Sequence, residues 1–143
     1  MILSYQTIKR RCLEEGMVSP FHERTKAFGM TFGCGPAGYD IRIAESVSLP
    51  PGCFVLASSL ERFRVPIDVL GRVADKSTLA RQGLAVQNTV LEAGWNGWLT
   101  LELTNHNDLH QSPLYLHAGM PIAQIIFEQL DAPTELPYPA DGK

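Results

Sequence analysis

The sequence predicts an all-β chain carrying one N-terminal helix and one short helical turn. Three observations point there. Short alternating or apolar runs recur along most of the 143 residues, Gly- and Pro-containing turns separate them, and helical periodicity holds only near the start.

Taken in order, Ser4 fits the N-cap of a first helix, Ile8 and Cys12 share one side of it, and Gly16 fits its stop, so residues 1–16 form a helical segment. Strand-like runs follow at residues 39–43, 53–58, 62–65, 69–74, 84–89, 98–105, 114–116 and 122–127. Pro50-Pro51-Gly52, Pro66-Ile67-Asp68, Trp95-Asn96-Gly97 and Ala118-Gly119-Met120-Pro121 punctuate them as in a sandwich or barrel. Asn96-Gly97 predicts a hairpin turn. The stretch 75–83 breaks the β pattern: Ser77 stands in N-cap position, helix formers follow, and Gly83 fits C′, which predicts a single helical turn. Residues 131–143, with Pro133, Pro137 and Pro139, predict an irregular arm. There is no internal repeat or low-complexity segment, and residues 1–143 are expected to form a single domain.

A hydrophobic content of 45% is ordinary for a globular chain, and a formal charge of −3 supplies no overall basic field for nucleic acid. Any anionic ligand must be held by a local cluster of donors. No stretch is apolar for long enough to cross a membrane, so no membrane partner is expected and the default compartment is the cytoplasm. Cys12, Cys34 and Cys53 are odd in number and widely spaced, which fits reduced thiols better than a disulfide frame or a zinc site.

Two places carry candidate chemistry. Within Trp98-Leu99-Thr100-Leu101-Glu102-Leu103-Thr104-Asn105, alternation puts Leu99, Leu101 and Leu103 on one face and Trp98, Thr100, Glu102 and Thr104 on the other. Glu102 thus shares its face with an indole and two hydroxyls, the setting of a general acid or base, or of an exposed strand residue. In the turn at 75–83, the first N–H groups, Lys76, the hydroxyls of Ser77 and Thr78, and Arg81 suit a phosphate chain, or else form a capped connector with surface charges. His106 and His110 stand at i and i+4, but in a polar loop without helical pattern they read as exposed histidines. Arg62 and Arg64 flank Phe63 and read as a solvated strand face or as reaching a neighbouring subunit's phosphates.

Together with Met1-Ile2-Leu3-Ser4 before the helix, the motifs Gly38-Tyr39-Asp40-Ile41-Arg42, Lys76-Ser77-Thr78-Leu79-Ala80-Arg81, Gly94-Trp95, Leu101-Glu102-Leu103-Thr104-Asn105 and Pro121-Ile122-Ala123-Gln124 stand in an order that resembles the dCTP deaminase branch of the dUTPase-like superfamily. The resemblance covers nearly the whole chain. It implies a distorted β-barrel or jelly-roll-like subunit, assembled as a homotrimer with active sites shared between subunits. It implies deamination of dCTP to dUTP and ammonia, with dTTP as a possible inhibitor. Trimeric dUTPases usually carry an apolar residue where Glu102 stands. Carried over residue by residue, Glu102 is the proton-transfer residue, with Ser77 and Arg81 as its polar neighbours. Residues Lys76, Ser77, Thr78, Leu79, Ala80 and Arg81 are the phosphate-contacting turn, Thr100 and Leu101 flank Glu102 in the substrate site, and Tyr138 and Lys143 are tail contacts to the nucleotide.

The implied chemistry uses no protein-bound metal. Water attacks cytosine C4, one carboxylate passes protons to N3 and to the leaving ammonia, and an Arg and a hydroxyl orient the water. Magnesium is expected only with the triphosphate. The His-x-Glu and Pro-Cys-x-x-Cys signature of zinc deaminases is absent. Two departures stand out. The hairpin Val90-Leu91-Glu92-Ala93-Gly94-Trp95 is shorter than the family's, with Glu92 where an Asp is usual, so Glu92 is either a contact to the sugar 3′-hydroxyl or a turn carboxylate. The sequence stops at Lys143, where relatives generally continue with a Tyr- and Gln-containing segment. A dUTP diphosphatase, a bifunctional enzyme using Glu92 to position water, and a silent nucleotide-binding regulatory module are the alternative functions.

Overall fold

The computed structural model describes residues 1–139. In chain order its elements are α1 (Tyr5–Glu15), β1 (Val18–Ser19), β2 (Thr25–Ala27), β3 (Met30–Cys34), β4 (Tyr39–Arg42), β5 (Val47–Leu49), β6 (Phe54–Arg64), β7 (Val69–Asp75), α2 (Ser77–Ala80), β8 (Leu84–Val86), β9 (Val90–Leu91), β10 (Asn96–Asn105), β11 (Leu114–Leu116) and β12 (Pro121–Gln129). The strands form a four-stranded sheet in the order β1-β6-β10-β8, a six-stranded sheet in the order β2-β3-β4-β12-β7-β9, and the pair β11-β5.

Both large sheets and α1 send side chains into one buried cluster: Tyr39, Ile41, Ile125 and Phe127 from the six-stranded sheet, Phe63, Leu101 and Leu103 from the other, and Ile8 from α1. Glu61 of β6 is fully buried in this interior. Its carboxylate accepts the main-chain N–H of Arg42 at 2.9 Å and the Nε–H of Arg42 at 2.8 Å, so a paired charge joins β4 of one sheet to β6 of the other. The Arg42 guanidinium also lies 4.4 Å from the Phe32 ring centre. Burial pushes the Cys12 thiol up to about 12 and the Cys34 thiol up to about 11, which keeps both protonated.

The helix at the start follows the sequence: Ser4 is its N-cap in extended backbone, and Gly16 closes it at φ 69°. Elsewhere the structure corrects several readings. The runs 53–58 and 62–65 belong to one strand, β6. They read as two because Ser59 and Glu61 point inward, and the ladder to β10 slips there: Trp98 pairs with Arg62 but Thr100 with Ser58. Ser59 fills the irregularity, donating its hydroxyl to Glu61 O at 2.7 Å and accepting Leu99 N–H at 2.9 Å.

Asn96-Gly97 is not a hairpin turn. Both residues lie in β10, opposite Arg64 and Phe63. The chain reverses earlier, at Ala93-Gly94, with Trp95 N–H bonded to Glu92 O at 3.0 Å and Gly94 at φ 89°. Gly97 is small for another reason: a Cβ there would stand 3.2 Å from the Trp95 ring, which stacks on Phe63. Ser77 is likewise not the N-cap of the short turn; Lys76 is, and Ser77 is its first helical residue. The three-residue stretches that became β2 and β5, and the pairs that became β1 and β9, are too short or too mixed to show alternation.

Candidate active site

Strand β10 presents Glu102 as the alternation predicts. Leu101 and Leu103 are fully buried, whereas Glu102 is half-buried on the outer face with Thr100 and Trp98 exposed beside it. Leu56 lies directly opposite Glu102 on β6, and Phe54 opposite Thr104. Phe54, Leu56 and Trp98 are each more than half exposed, so the carboxylate sits among large apolar side chains on an uncovered face. Among the described residues, no ion pair or side-chain hydrogen bond engages that carboxylate.

The backbone around Glu102 is fixed by a residue the sequence reading passed over. Strand β8 leaves β10 after Val86, and Gln87 N–H makes the last main-chain bond, to Glu102 O at 3.0 Å. The Asn88 carboxamide then continues the ladder: its Nδ2 donates to Thr100 O at 2.7 Å and its Oδ1 accepts Glu102 N–H at 2.9 Å. An Asn two residues past an apolar strand run is the sequence signal, because its side chain is a peptide group on a short stem.

Beyond Asn88 the chain enters a small pocket of about 130 Å³ lined by Val90, Leu91, Glu92, Trp95, Leu99 and Tyr138. Two predicted site residues, Glu92 and Tyr138, therefore meet here. Tyr138 arrives on the tail, whose main chain is tied to the hairpin by Tyr138 N–H to Ala93 O at 2.8 Å. That volume is well below the ~300 Å³ at which sites that bury whole drug-sized ligands start.

The helical turn α2 stands apart from both. Leu79 is buried and anchors it, while Ser77, Thr78, Ala80 and Arg81 are exposed. Lys76 is already engaged: its ammonium lies 2.8 Å from Asp40 Oδ2 and 3.3 Å from the Thr31 hydroxyl. Asp75, next in line, accepts Val86 N–H at 2.7 Å. Asp40, Asp75, Lys76, Ser77 and Gln124 together line a polar cleft. No hydrogen bond or ion pair among the described residues joins Ser77 or Arg81 to Glu102. Within one chain, then, the predicted site residues lie in three places: the hairpin pocket, the outer face of β10 and the α2 turn. Lys143 lies outside the described residues. Among the described residues, no group of three or more His, Cys, Asp or Glu side chains is placed to hold a metal ion, and no helix is long and apolar enough to cross a membrane.

The architecture is that of dUTPase-like subunits. The structure of 2′-deoxycytidine 5′-triphosphate deaminase from Agrobacterium tumefaciens superposes with a TM-score of 0.70 at 17% identity, over 90% of this chain and 48% of that one. The native EIAV dUTPase superposes with a TM-score of 0.61 at 21% identity, over 87% and 98% of the two chains. The family model described as dCTP deaminase-like matches residues 37–130, and the chain belongs to that family. A dCTP deaminase of Acidobacterium capsulatum is 35% identical over 172 aligned positions, covering 99% of this chain and 91% of the relative. That alignment is longer than this chain, so the relative carries insertions that this more compact member lacks.

Proposed function

We propose that the protein deaminates dCTP to dUTP and ammonia, with Glu102 as the proton-transfer residue and no protein-bound metal. The observation that carries this reading is the state of Glu102: a half-buried carboxylate with no partner among the described residues, on a central strand, facing outward where a second subunit's groups can reach it. Water attacks cytosine C4 while Glu102 takes its proton. The carboxyl group protonates N3, then takes the C4 hydroxyl proton and delivers it to the amino nitrogen, so that the C4–N bond breaks as C4=O forms, ammonia leaves and the carboxylate is regenerated.

The same face supports a homotrimer with shared sites. Among the described residues no hydrogen bond or ion pair joins Glu102 to the α2 turn within one chain, and Phe54, Leu56 and Trp98 offer apolar area for a neighbour to cover. In this reading the neighbour's Ser77 and Arg81 approach Glu102, orienting the water and countering charge on the substrate. Its Lys76-to-Arg81 turn contacts the triphosphate, to which magnesium is bound as part of the substrate. The hairpin pocket with Glu92 and Tyr138 takes the deoxyribose edge. We further propose one domain over residues 1–143, the cytoplasm as its compartment, and dTTP as a competing ligand.

A second reading, hydrolysis of dUTP or both steps in one enzyme, is favoured by Glu92. It is exposed at the rim of the hairpin pocket with its carboxylate unengaged among the described residues, so it can position water. One assay separates the readings. With dCTP and dUTP as substrates, deamination alone yields ammonia and dUTP, a bifunctional enzyme also yields pyrophosphate, and a regulatory module yields neither.

A further inference from the structure

We propose that Asn88 is a positioning residue for the reaction, acting through Glu102. The proposal rests on the deaminase reading above and adds a residue to it. The Thr100 carbonyl and the Glu102 amide point to the same edge of β10, where strand β8 has already turned away toward β9. Two adjacent main-chain groups are thereby left without a strand partner. The Asn88 carboxamide answers both at once, donor to carbonyl and acceptor to amide, at 2.7 and 2.9 Å. It reproduces what one more peptide group of β8 would do.

The consequence is mechanical. Glu102 projects from the residue whose amide Asn88 holds, so the position of its carboxylate relative to a substrate is set by that bond. Asn88 also stands at the root of the segment that carries Val90, Leu91 and Glu92 into the hairpin pocket. A single side chain thus fixes the distance between the proton-transfer residue and the pocket. Aspartate keeps the acceptor for Glu102 N–H but sets a carboxylate oxygen against the Thr100 carbonyl. Alanine leaves both main-chain groups unpaired.

Steady-state ammonia release from dCTP, amide hydrogen exchange at Glu102 and thermal melting test this on the full chain. Asn88→Ala is expected to lower kcat by about tenfold to a hundredfold, to change KM by less than about threefold, and to speed exchange at the Glu102 amide. Asn88→Asp, which keeps the bond to the Glu102 amide, is expected to fall between Asn88→Ala and the parent in kcat, and it serves alone if Asn88→Ala does not fold. Three results overturn the proposal: parental kcat in a folded Asn88→Ala, a loss confined to KM, or a loss of kcat with Glu102 exchange unchanged. If the parent protein itself releases no ammonia, the deaminase reading fails separately, and the exchange measurement still decides whether Asn88 holds Glu102.

Discussion

The ammonium of Lys76 and the carboxylate of Asp40 form a 2.8 Å ion pair whose side chains are only 10% and 17% exposed. The pair links the N-cap of α2 to β4 across the intervening strand β12, whose Ala123 pairs with Asp75. It lies between the exposed and fully buried extremes, so Asp40→Ala should cost about 2 kcal/mol, read as a shift in urea midpoint at constant slope. The same change frees the Lys76 charge. Triphosphate binding should therefore tighten or hold, while Lys76→Ala should weaken it; equal losses of binding in both variants would mark the pair as purely structural.

Glu102→Gln keeps the size of the side chain and removes the base. Ammonia release from dCTP should fall by about a hundredfold or more, the usual scale of general acid–base catalysis. Nucleotide affinity should survive if the α2 turn holds the triphosphate as proposed. A variant with near-parental turnover would return Glu102 to an exposed strand position.

Arg81 is exposed on α2 and takes part in no ion pair among the described residues, so its removal should leave stability within about 0.5 kcal/mol of the parent. Activity should nonetheless fall tenfold or more in Arg81→Ala, following the usual scale for a lost electrostatic contact. Mixing Arg81→Ala with Glu102→Gln chains should give more activity than either variant alone if sites are shared between subunits. No recovery after mixing and refolding would argue for sites contained in single chains.

Gly94 carries the tail. At φ 89° a side chain is strained, and a Cβ would approach Pro137 Cβ to 2.8 Å. Gly94→Ala should cost about 1–2 kcal/mol for the backbone alone and should lift the tail from the hairpin. Limited proteolysis then should cut within residues 131–139 faster than in the parent.

Acid stability has an identifiable contributor. The Arg11 guanidinium, 2.6 Å from Asp68 Oδ1, holds the Asp68 carboxyl at about 2 against an ordinary 3.8, and Gln129 adds a second hydrogen bond. Because the folded value is the lower one, the stabilisation is complete above about pH 4 and disappears as pH falls toward 2. With a partly exposed carboxyl, screening leaves about 1–2 kcal/mol. Asp68→Asn should be less stable at pH 7 and should flatten the dependence of stability on pH in that window.

The parts of this molecule that sequence made legible are those where one side chain decides locally. Gly16 stops α1 by its own backbone freedom, and the leucines of β10 sort themselves to one face whatever their neighbours do. The readings that failed depend on distant partners. The Asn96-Gly97 pair has ideal turn chemistry, yet Trp95 stacks on Phe63 and draws both residues into the ladder. Ser59 and Glu61 look like a strand break because only the opposite sheet, through Arg42, explains an inward carboxylate. At the candidate site the carboxylate and the pocket rim were visible as residue types in a strand and a turn. Asn88 was not, since its role exists only once β8 has peeled away from β10.

The placement of β12 bears on how the chain comes to be folded at all. This strand lies between β4 and β7, bonded to both, yet it is the last strand among the described residues. Until residues 121–129 leave the ribosome, the inner edges of β4 and β7 have nothing to pair with, and Tyr39 and Ile41 have no Ile125 or Phe127 to pack against. Until then the edges of β4 and β7 are available to any passing β-segment. Completion is a late, non-local event, so refolding should be slow for a chain of this length and should yield more native protein when dilute.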